Sequence, residues 1–436
     1  MKLLILVPKI TNRLRYVFKL LLNELLGLEI AFTTDSTLFL NEKGMKFHYG
    51  DQPIGDEIFQ KAVSLLFERD IASITLKWKL YNGTKVTFPV ASTRSMLPFD
   101  VFAATFFLVS RYEEYLPFVP DKFGRFEAES SVLQQEGILQ KPVVNHWIIA
   151  LRNVLSTHFP ELQFKKNEFT LLPTYDIDSA WAYRHKGLFR ILGGYAKYLL
   201  KLNFNEIKFR TAVLRNKEKD PFDTFDLQIA LQKEFRLHPI YFILCGDYGP
   251  YDKNISIRNR YFCNLIKKLG DYSEVGIHPS FASFLDEKQL QNEINNLSHV
   301  LNREVTKSRQ HFLRLTIPKT YQKLIELDIT DDYTMGYASA PGFRAGIASS
   351  FLFYDLEHDV PTNLRIHPFA VMDGTLRDYM NMNVDQAFEI IKTLIDEVKA
   401  VDGTFISLWH NETLSDEKRW KGWRNMYRNM IEYALS

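Results

Sequence analysis

The chain has 436 residues, of which 46% are hydrophobic and 24% are charged, and its formal net charge at pH 7 is only +2. This composition is ordinary for a globular protein, and the length predicts two or three domains. The near-balanced charge demands no polyanionic partner, so we predict no nucleic-acid binding. The high content of Phe (34) and Tyr (21) fits either a protein core or a cleft that stacks sugar rings.

The N-terminus begins with a short apolar run that predicts a β-strand and not a secretory signal. Pro8 and Lys9 end this run, whereas a signal peptide carries roughly 7–15 apolar residues. No run of about 18 apolar residues occurs, so no transmembrane segment is predicted. The two cysteines, Cys245 and Cys263, lack metal or redox spacing and fit a reducing compartment. We therefore expect a cytoplasmic protein.

Residues 1–163 show short apolar runs between helical patterns, which predicts an N-terminal α/β domain. A strand is expected at 2–7 and a helix at 11–26, where apolar residues recur with helical spacing. An Asn-Gly turn predicts a hairpin across 74–88, and further helices are expected at 98–115 and 145–155. These patterns assign no function to the domain.

Residues 164–436 alternate apolar runs of strand length with helical stretches, which predicts a second α/β domain. The predicted strands are 168–175, 238–245, 273–277, 311–316, 363–371 and 404–409. The predicted helices are 225–235, 261–269, 287–301 and 385–401. Such alternation favours a parallel sheet that is either open or closed into a (β/α) barrel.

Chemically capable side chains stand at the carboxyl ends of several predicted strands. Asp176 and Asp178 follow the first strand, and Asp247 follows the second. His278 follows the third strand and His410 follows the last. In α/β barrels the active site is built from this end of the strands, so we expect these side chains to share one rim.

Asp176 and Asp178 are the strongest candidates for chemistry. Residues two apart in an extended segment point to the same side, so their carboxylates repel each other. A divalent cation would relieve this repulsion by binding one carboxylate and leave the other as a base. The alternative is a strand-end turn in which both aspartates serve as caps.

Histidine and arginine side chains are candidates for the metal ligand, for the general acid and for the group that orients the base. A neutral imidazole at His278 suits a borderline metal such as zinc, and His410 suits a general acid. Arg309 and His311 are expected to share one strand face, where Arg309 could orient the aspartate base. A purely structural role is the alternative for each of these residues.

Taken in order, these segments resemble the polysaccharide deacetylase family, the NodB-homology domain of carbohydrate esterase family four. Residues 174–178, Thr-Tyr-Asp-Ile-Asp, resemble its first motif, and residues 278–283, His-Pro-Ser-Phe-Ala-Ser, resemble its second. Residues 308–310 stand where the family has a bracing arginine, and residues 408–410, Leu-Trp-His, resemble its closing motif. The whole pattern is similar to a divergent Bacteroidetes-type group with an extra N-terminal domain.

The resemblance implies a fold, a site and an activity. The expected fold is a distorted (β/α) barrel of the polysaccharide deacetylase type after a smaller α/β domain. It implies that Asp176 is the base, that Arg309 braces it and that His410 protonates the leaving amine. It also implies that Asp178 and His278 bind Zn²⁺ or another divalent metal. The expected activity is the removal of acetyl groups from N-acetylated sugars or a glycan precursor.

The second motif departs from the family at Ala282, where the family's second histidine would fall. Alanine cannot bind a metal, so the third protein ligand is expected to be Ser283 or His311. Ala282 also supports an alternative, a decayed barrel that acts as a glycan-binding or assembly protein. A hydrolase of non-sugar C–N bonds is the third hypothesis.

Four further residues are predicted to contact the substrate. They are Tyr175, Arg344, Asp373 and Trp409. The substrate would be an acetylated sugar or a glycan precursor that is accessible in the cytoplasm. The sequence leaves the oligomeric state open.

Overall fold

The N-terminal region is built around a four-stranded parallel sheet. The computed structural model describes residues 2–436. The N-terminal strands are β1 (Lys2–Leu6), β2 (Glu29–Thr33), β3 (Lys46–Gly50), β4 (Ile58–Lys61), β5 (Lys79–Tyr81) and β6 (Thr84–Val86). The helices are α1 (Asn12–Phe18), α2 (Ser36–Asn41), α3 (Val101–Val109), α4 (Val132–Gln135) and α5 (Val143–His158). The sheet has the order β2-β1-β3-β4, and β5 and β6 form the expected hairpin beside it.

The helices of this region begin and end at residues with clear physical roles. Thr11 caps α1 by accepting the backbone N–H of Leu14, and the helix continues as π-helical turns through residues 19–25. Asp100 caps α3, all nine residues of which are buried. The α-helix expected at 98–115 stops at residue 109, because Arg111 has φ of 54° and the chain continues as a short 3-10 turn.

The C-terminal region is an α/β layer around a nine-stranded sheet. Its strands are β7 (Thr170–Ile177), β8 (Ile240–Leu244), β9 (Glu274–His278), β10 (Lys307–Ser308), β11 (Asp331–Asp332), β12 (Phe351–Asp355), β13 (Val360–Ile366), β14 (Val371–Met372) and β15 (Thr404–His410). The helices are α6 (Leu188–Leu200), α7 (Phe204–Leu214), α8 (Phe225–Phe235), α9 (Arg260–Tyr272), α10 (Glu287–Leu301), α11 (Lys319–Glu326), α12 (Val384–Lys399) and α13 (Trp423–Leu435).

The large sheet is parallel except at one edge. Its order is β12-β13-β11-β10-β9-β8-β7-β15-β14, and only β12 runs antiparallel to its neighbour. Within residues 2–436 the two edge strands do not pair with each other, so the barrel that we expected is not closed. The two edge strands are β12, which is antiparallel to β13, and β14, which is two residues long.

Most predicted strands of this region are present, and one is wrong. The strand expected at 311–316 is a 3-10 turn from His311 to Leu313, and the true strand β10 lies just before it. Phe312 and Leu313 have φ of 59° and 53°, which a strand cannot accommodate. The strand expected at 363–371 is divided between β13 and β14, and α6, α7, α11 and α13 were not predicted.

The two regions share one continuous hydrophobic core. A buried ion pair joins them, in which Arg344 Nη2 lies 2.6 Å from Glu114 Oε2. Arg344 also donates to the carbonyl of Gly336. We had expected Arg344 to contact the substrate, but its side chain lies at this junction and does not line the cleft. The boundary between residues 163 and 164 stays a prediction. No helix among the described residues is long and apolar enough to cross a bilayer.

Candidate metal centre

Four neighbouring strands bring the predicted catalytic side chains together at the carboxyl-terminal side of the large sheet. β7 pairs in parallel with β15 on one side and with β8 on the other, and β8 pairs with β9. The strand register sets His410 beside Asp176. His278 is the last residue of β9 and lies at the same carboxyl-terminal side of the sheet. Asp178 follows β7 directly. The rim that the strand-end pattern predicted therefore exists for Asp176, Asp178, His278 and His410, without a closed barrel, whereas Asp247 is exposed and does not line the cleft.

Asp178, His278 and His311 present one ligand atom each to a common point. These three atoms lie within 4.8 Å of one another. Asp178 Oδ1 is 3.3 Å from His278 Nε2, and Oδ2 is 3.6 Å from His311 Nε2. Ligand atoms about 2.0–2.1 Å from a tetrahedral zinc lie roughly 3.3 Å apart. Asp178 Oδ1 is also buried without a hydrogen-bond partner, so the donor set and its geometry fit a divalent cation.

Hydrogen bonds at the far side of each ring fix the tautomers of the two histidines. His278 Nδ1 lies 2.6 Å from the backbone carbonyl of Arg309, and His311 Nδ1 lies 2.8 Å from Asp252 Oδ1. Both partners only accept hydrogen bonds, so Nδ1 carries the proton in each ring. The Nε2 atoms are thereby turned toward Asp178, which is the arrangement of metal-binding histidines.

Asp252 was not among the predicted site residues, although it anchors His311. It lies in the loop after β8 and accepts the backbone N–H groups of Phe281 at 2.8 Å and Ala282 at 3.3 Å. The loop that contains Ala282 therefore contributes no ligand but holds the carboxylate that orients one. No periodic pattern marks a loop aspartate of this kind in the sequence.

Asp178 and His311 shift each other's pKa in the metal-free site. Burial opposes the charge on Asp178, but the imidazoles of His311 and His278 hold its pKa well below its usual range. Burial would lower the pKa of His311, but the carboxylates of Asp178 and Asp252 raise it to about 9. A metal ion bound here would therefore have to displace the proton of His311.

Asp176 is fixed by Arg309 at the side away from the cleft. Arg309 Nη1 donates to Asp176 Oδ1 at 3.0 Å and to Thr174 Oγ1 at 2.6 Å. Arg309 Nε donates to the carbonyl of Tyr333 at 2.9 Å. This leaves Asp176 Oδ2 beside the trio, 3.7 Å from His278 Nε2. Arg309 is fully buried and positions the carboxylate without lining the cleft.

His410 is held and charged by Asp373. The carboxylate accepts the backbone N–H of His410 at 2.8 Å and contacts its Nδ1 at 2.8 Å. Burial favours a neutral imidazole, but the Asp373 carboxylate outweighs it and raises the pKa of His410 well above its ordinary value. His410 Nε2 lies 3.8 Å from Asp178 Oδ2. Asp373 is wholly buried. It orients His410 and does not line the cleft, contrary to our prediction that it contacts the substrate.

The remaining predicted residues do not enter the cleft. Ser283 Oγ donates to the carbonyl of Ser280 at 3.0 Å and stays outside the ligand trio. Tyr175 and Trp409 are buried and pack against Tyr427. Side chains alternate along a strand, so the residues before Asp176 and His410 face the helix layer instead of the site.

A cleft of about 400 Å³ opens over this centre. Aromatic side chains line part of it, namely Phe222, Tyr251, Phe312, Tyr379 and Trp420. Basic side chains also line it, namely Arg125, Lys186, Lys253 and Arg419. Arg125 comes from the N-terminal region and donates to the carbonyl of Phe312 at 2.8 Å. The N-terminal region thus helps to hold the turn that contains His311.

Comparisons with known proteins give distant similarities. A family of unknown function, DUF7033, matches residues 3–160, and no curated protein matches the chain. A Mycobacterium smegmatis protein assigned as a polysaccharide deacetylase is 12% identical, with a TM-score of 0.40 over 61% of this chain and 85% of that one. An allantoinase is 12% identical, with a TM-score of 0.39 over 64% of this chain and 86% of that one. The matched family residues form the smaller sheet with α1–α5, and the description gives them no activity.

Proposed function

We propose that this protein is a metal-dependent hydrolase that removes acetyl groups from N-acetylated sugars or a glycan precursor. The observation that carries the proposal is the trio of Asp178, His278 and His311, whose ligand atoms converge within 4.8 Å. A carboxylate and an imidazolium flank the trio on the two sides. This set contains a base, an acid and a cation site, which are the parts that amide hydrolysis requires.

A divalent cation such as zinc, held by the trio, would supply Lewis acidity toward the acyl carbonyl. Asp176 accepts the proton of the attacking water through Oδ2, since Arg309 occupies Oδ1. Arg309 holds the carboxylate in this orientation. His410 donates the Nε2 proton to the departing amine, because Asp373 maintains the imidazolium form.

The cleft lining supports a sugar substrate. Aromatic rings such as Tyr379 and Trp420 lie at its wall, where they can stack on the apolar faces of a pyranose. Lys186 and Lys253 at the same cleft favour a substrate with an anionic group, as in a phosphate-linked precursor, whereas Arg419 is already paired with Asp378 and Glu412. The cytoplasmic location that we predicted would make such a precursor accessible.

The first alternative differs from this proposal in the state of the metal centre, and the second differs in the substrate. Ala282 suggested a decayed barrel that binds glycans without turnover, but His311 offers a third ligand atom to the trio, which supports catalysis. A hydrolase of non-sugar C–N bonds would use the same centre. Small acylated metabolites therefore belong in the substrate panel.

The test combines metal content with acetate release. Purified protein is loaded with Zn²⁺, and its metal content is measured before acetate release is followed on N-acetylated oligosaccharides, nucleotide-linked sugars and small acylated amides. We expect about one metal per chain and activity that Asp178→Asn abolishes together with metal binding. Wild-type protein that holds no metal after incubation with Zn²⁺ and releases no acetate from any of these substrates would refute the proposal.

A further inference from the structure

Helix α6 exposes an apolar face to solvent beside the cleft. Seen along the helix, its outward side has a continuous band of apolar residues, Leu188, Phe189, Leu192, Ala196, Leu199 and Leu200. Phe189 is 90% exposed and Leu200 is 85% exposed, and no residue of α6 is fully buried. The chain continues with exposed Leu202 and Phe204. So many large apolar side chains on one surface mark a binding face.

The opposite side of α6 is occupied by its packing on the protein. A side chain at Gly194 would collide with the guanidinium of Arg210, which shows how closely α7 approaches this face. Arg210 also donates to the carbonyls of Arg190 and Ile191. The helix is therefore fixed to the body of the protein with its apolar side outward.

The charged residues of the segment that contains this face are all basic. Residues 179–205 contain five Lys or Arg residues and no Asp or Glu. Lys197 and Lys201 are exposed on or directly after the helix, and Arg190 lies at its first turn. An apolar stripe with basic residues at its border is the pattern of a helix that lies in the plane of an anionic bilayer.

We propose that α6 and residues 201–204 form a membrane-docking surface that binds an anionic lipid bilayer. A second copy of the chain fits the face less well, because a symmetric contact would set the cations of two helices against each other. At about 1.5 Å per residue, the 13-residue helix spans roughly 20 Å, which suits an interfacial position.

Docking would bring the cleft close to the bilayer surface. Arg190 donates to the carbonyls of Asn254 at 2.7 Å and Lys253 at 2.8 Å, and Lys253 lines the cleft. Lys186, one residue before the N-cap of α6, also lines it. A substrate attached to the membrane could thus reach the cleft from the docked helix. The docking itself does not depend on the proposed hydrolase activity.

Co-sedimentation with vesicles tests the proposal on the full-length protein. One set of vesicles is pure phosphatidylcholine and the other contains equal amounts of phosphatidylglycerol and phosphatidylcholine. We expect binding to the anionic vesicles that weakens as salt rises, and little binding to the neutral ones. A double variant, Phe189→Glu with Leu200→Glu, should weaken binding at least about tenfold. Lys197→Glu with Lys201→Glu should remove the preference for phosphatidylglycerol.

The control introduces the same charges elsewhere on the surface. Leu80 and Val119 are 74% and 83% exposed, and Leu80→Glu with Val119→Glu should leave vesicle binding unchanged. Circular dichroism verifies that each variant is folded. Absence of wild-type binding to anionic vesicles would overturn the proposal, as would equal binding by the Phe189/Leu200 variant. A wild-type dimer that this variant dissociates, without vesicle binding, would assign the face to a second copy instead.

Discussion

Asp252 Oδ1 lies 2.8 Å from His311 Nδ1 and determines which nitrogen of that imidazole faces Asp178. The same carboxylate is held by two backbone N–H groups of the loop that contains Ala282. A carboxylate behind a ligating histidine keeps the ring oriented and raises its basicity. The centre therefore depends on Asp252 even though this residue would not touch the metal.

Asp252→Asn tests this dependence. The amide can keep a hydrogen bond to the ring but loses the charge, so we expect zinc affinity to fall about 10–100-fold with little loss of fold stability. Titration against a competing chelator measures the affinity. Asp247→Asn is the matched control, since Asp247 is an exposed aspartate of the same loop. Equal losses of zinc affinity in both variants, or no loss of affinity in either, would contradict the role of Asp252.

Metal binding should release protons below about pH 9. His311 holds a proton up to a pKa of about 9 in the metal-free site, and the metal requires its neutral form. Apparent zinc affinity should therefore rise with pH by up to about one log unit per pH unit and level off above pH 9. Calorimetry in buffers of different ionisation enthalpy measures the released protons. Affinity that is constant from pH 6 to 9 would argue against His311 as a ligand.

The metal-free protein should lose thermal stability as the pH rises. The pKa of His311 is raised from 6.5 to about 9 by folding, so its charge stabilises the fold fully below pH 6.5. That contribution is lost as the pH approaches 9. Differential scanning calorimetry should show a steeper decline for the metal-free protein than for His311→Gln, in which only the raised pKa of His410 still contributes. A Tm that increases over this range in the metal-free protein would be inconsistent with the raised pKa.

Asp176→Asn should separate catalysis from metal binding. The side chain accepts from Arg309 but supplies no ligand atom to the trio, so we expect kcat to fall roughly 10²–10⁴-fold while the zinc content is retained. Metal analysis and acetate release are measured on the same sample. Loss of the metal in this variant would assign Asp176 a ligand role instead.

Asp373→Asn should shift the pH profile of the reaction. Asp373 is the main source of the raised pKa of His410, so an amide in its place lowers that pKa. The alkaline limb of the kcat profile, where His410 loses its proton, should move to lower pH. His410→Gln should remove that limb and lower kcat about 10²-fold or more. An alkaline limb that stays in place in Asp373→Asn would exclude His410 as the acid.

Much of the site could be predicted because strand ends are visible in a sequence. Asp176, His278 and His410 follow apolar runs, and parallel strands bring their carboxyl ends together. Their chemical roles stay predictions. The choice between Ser283 and His311 was open, because it depends on a 3-10 turn with positive φ that replaced the expected strand.

The site residues that were wrongly predicted or missed also have physical explanations. Tyr175 and Trp409 were assigned to the substrate because of their motifs, although the alternation of a strand turns each away from its catalytic neighbour. Arg344 pairs with Glu114 across 230 positions of sequence, a distance at which no local pattern signals a partner. Asp252 and Arg125 lie in loops whose positions are determined only by tertiary contacts.

The most direct test of the central claim is anomalous diffraction from crystals soaked in Zn²⁺. We expect one strong zinc peak between Asp178, His278 and His311, with both Nε2 atoms and one carboxylate oxygen about 2.0–2.2 Å from the ion. Nδ1 of each histidine should keep its contact with Arg309 or Asp252. An absence of zinc at this trio, with zinc bound elsewhere or not at all, would contradict the account.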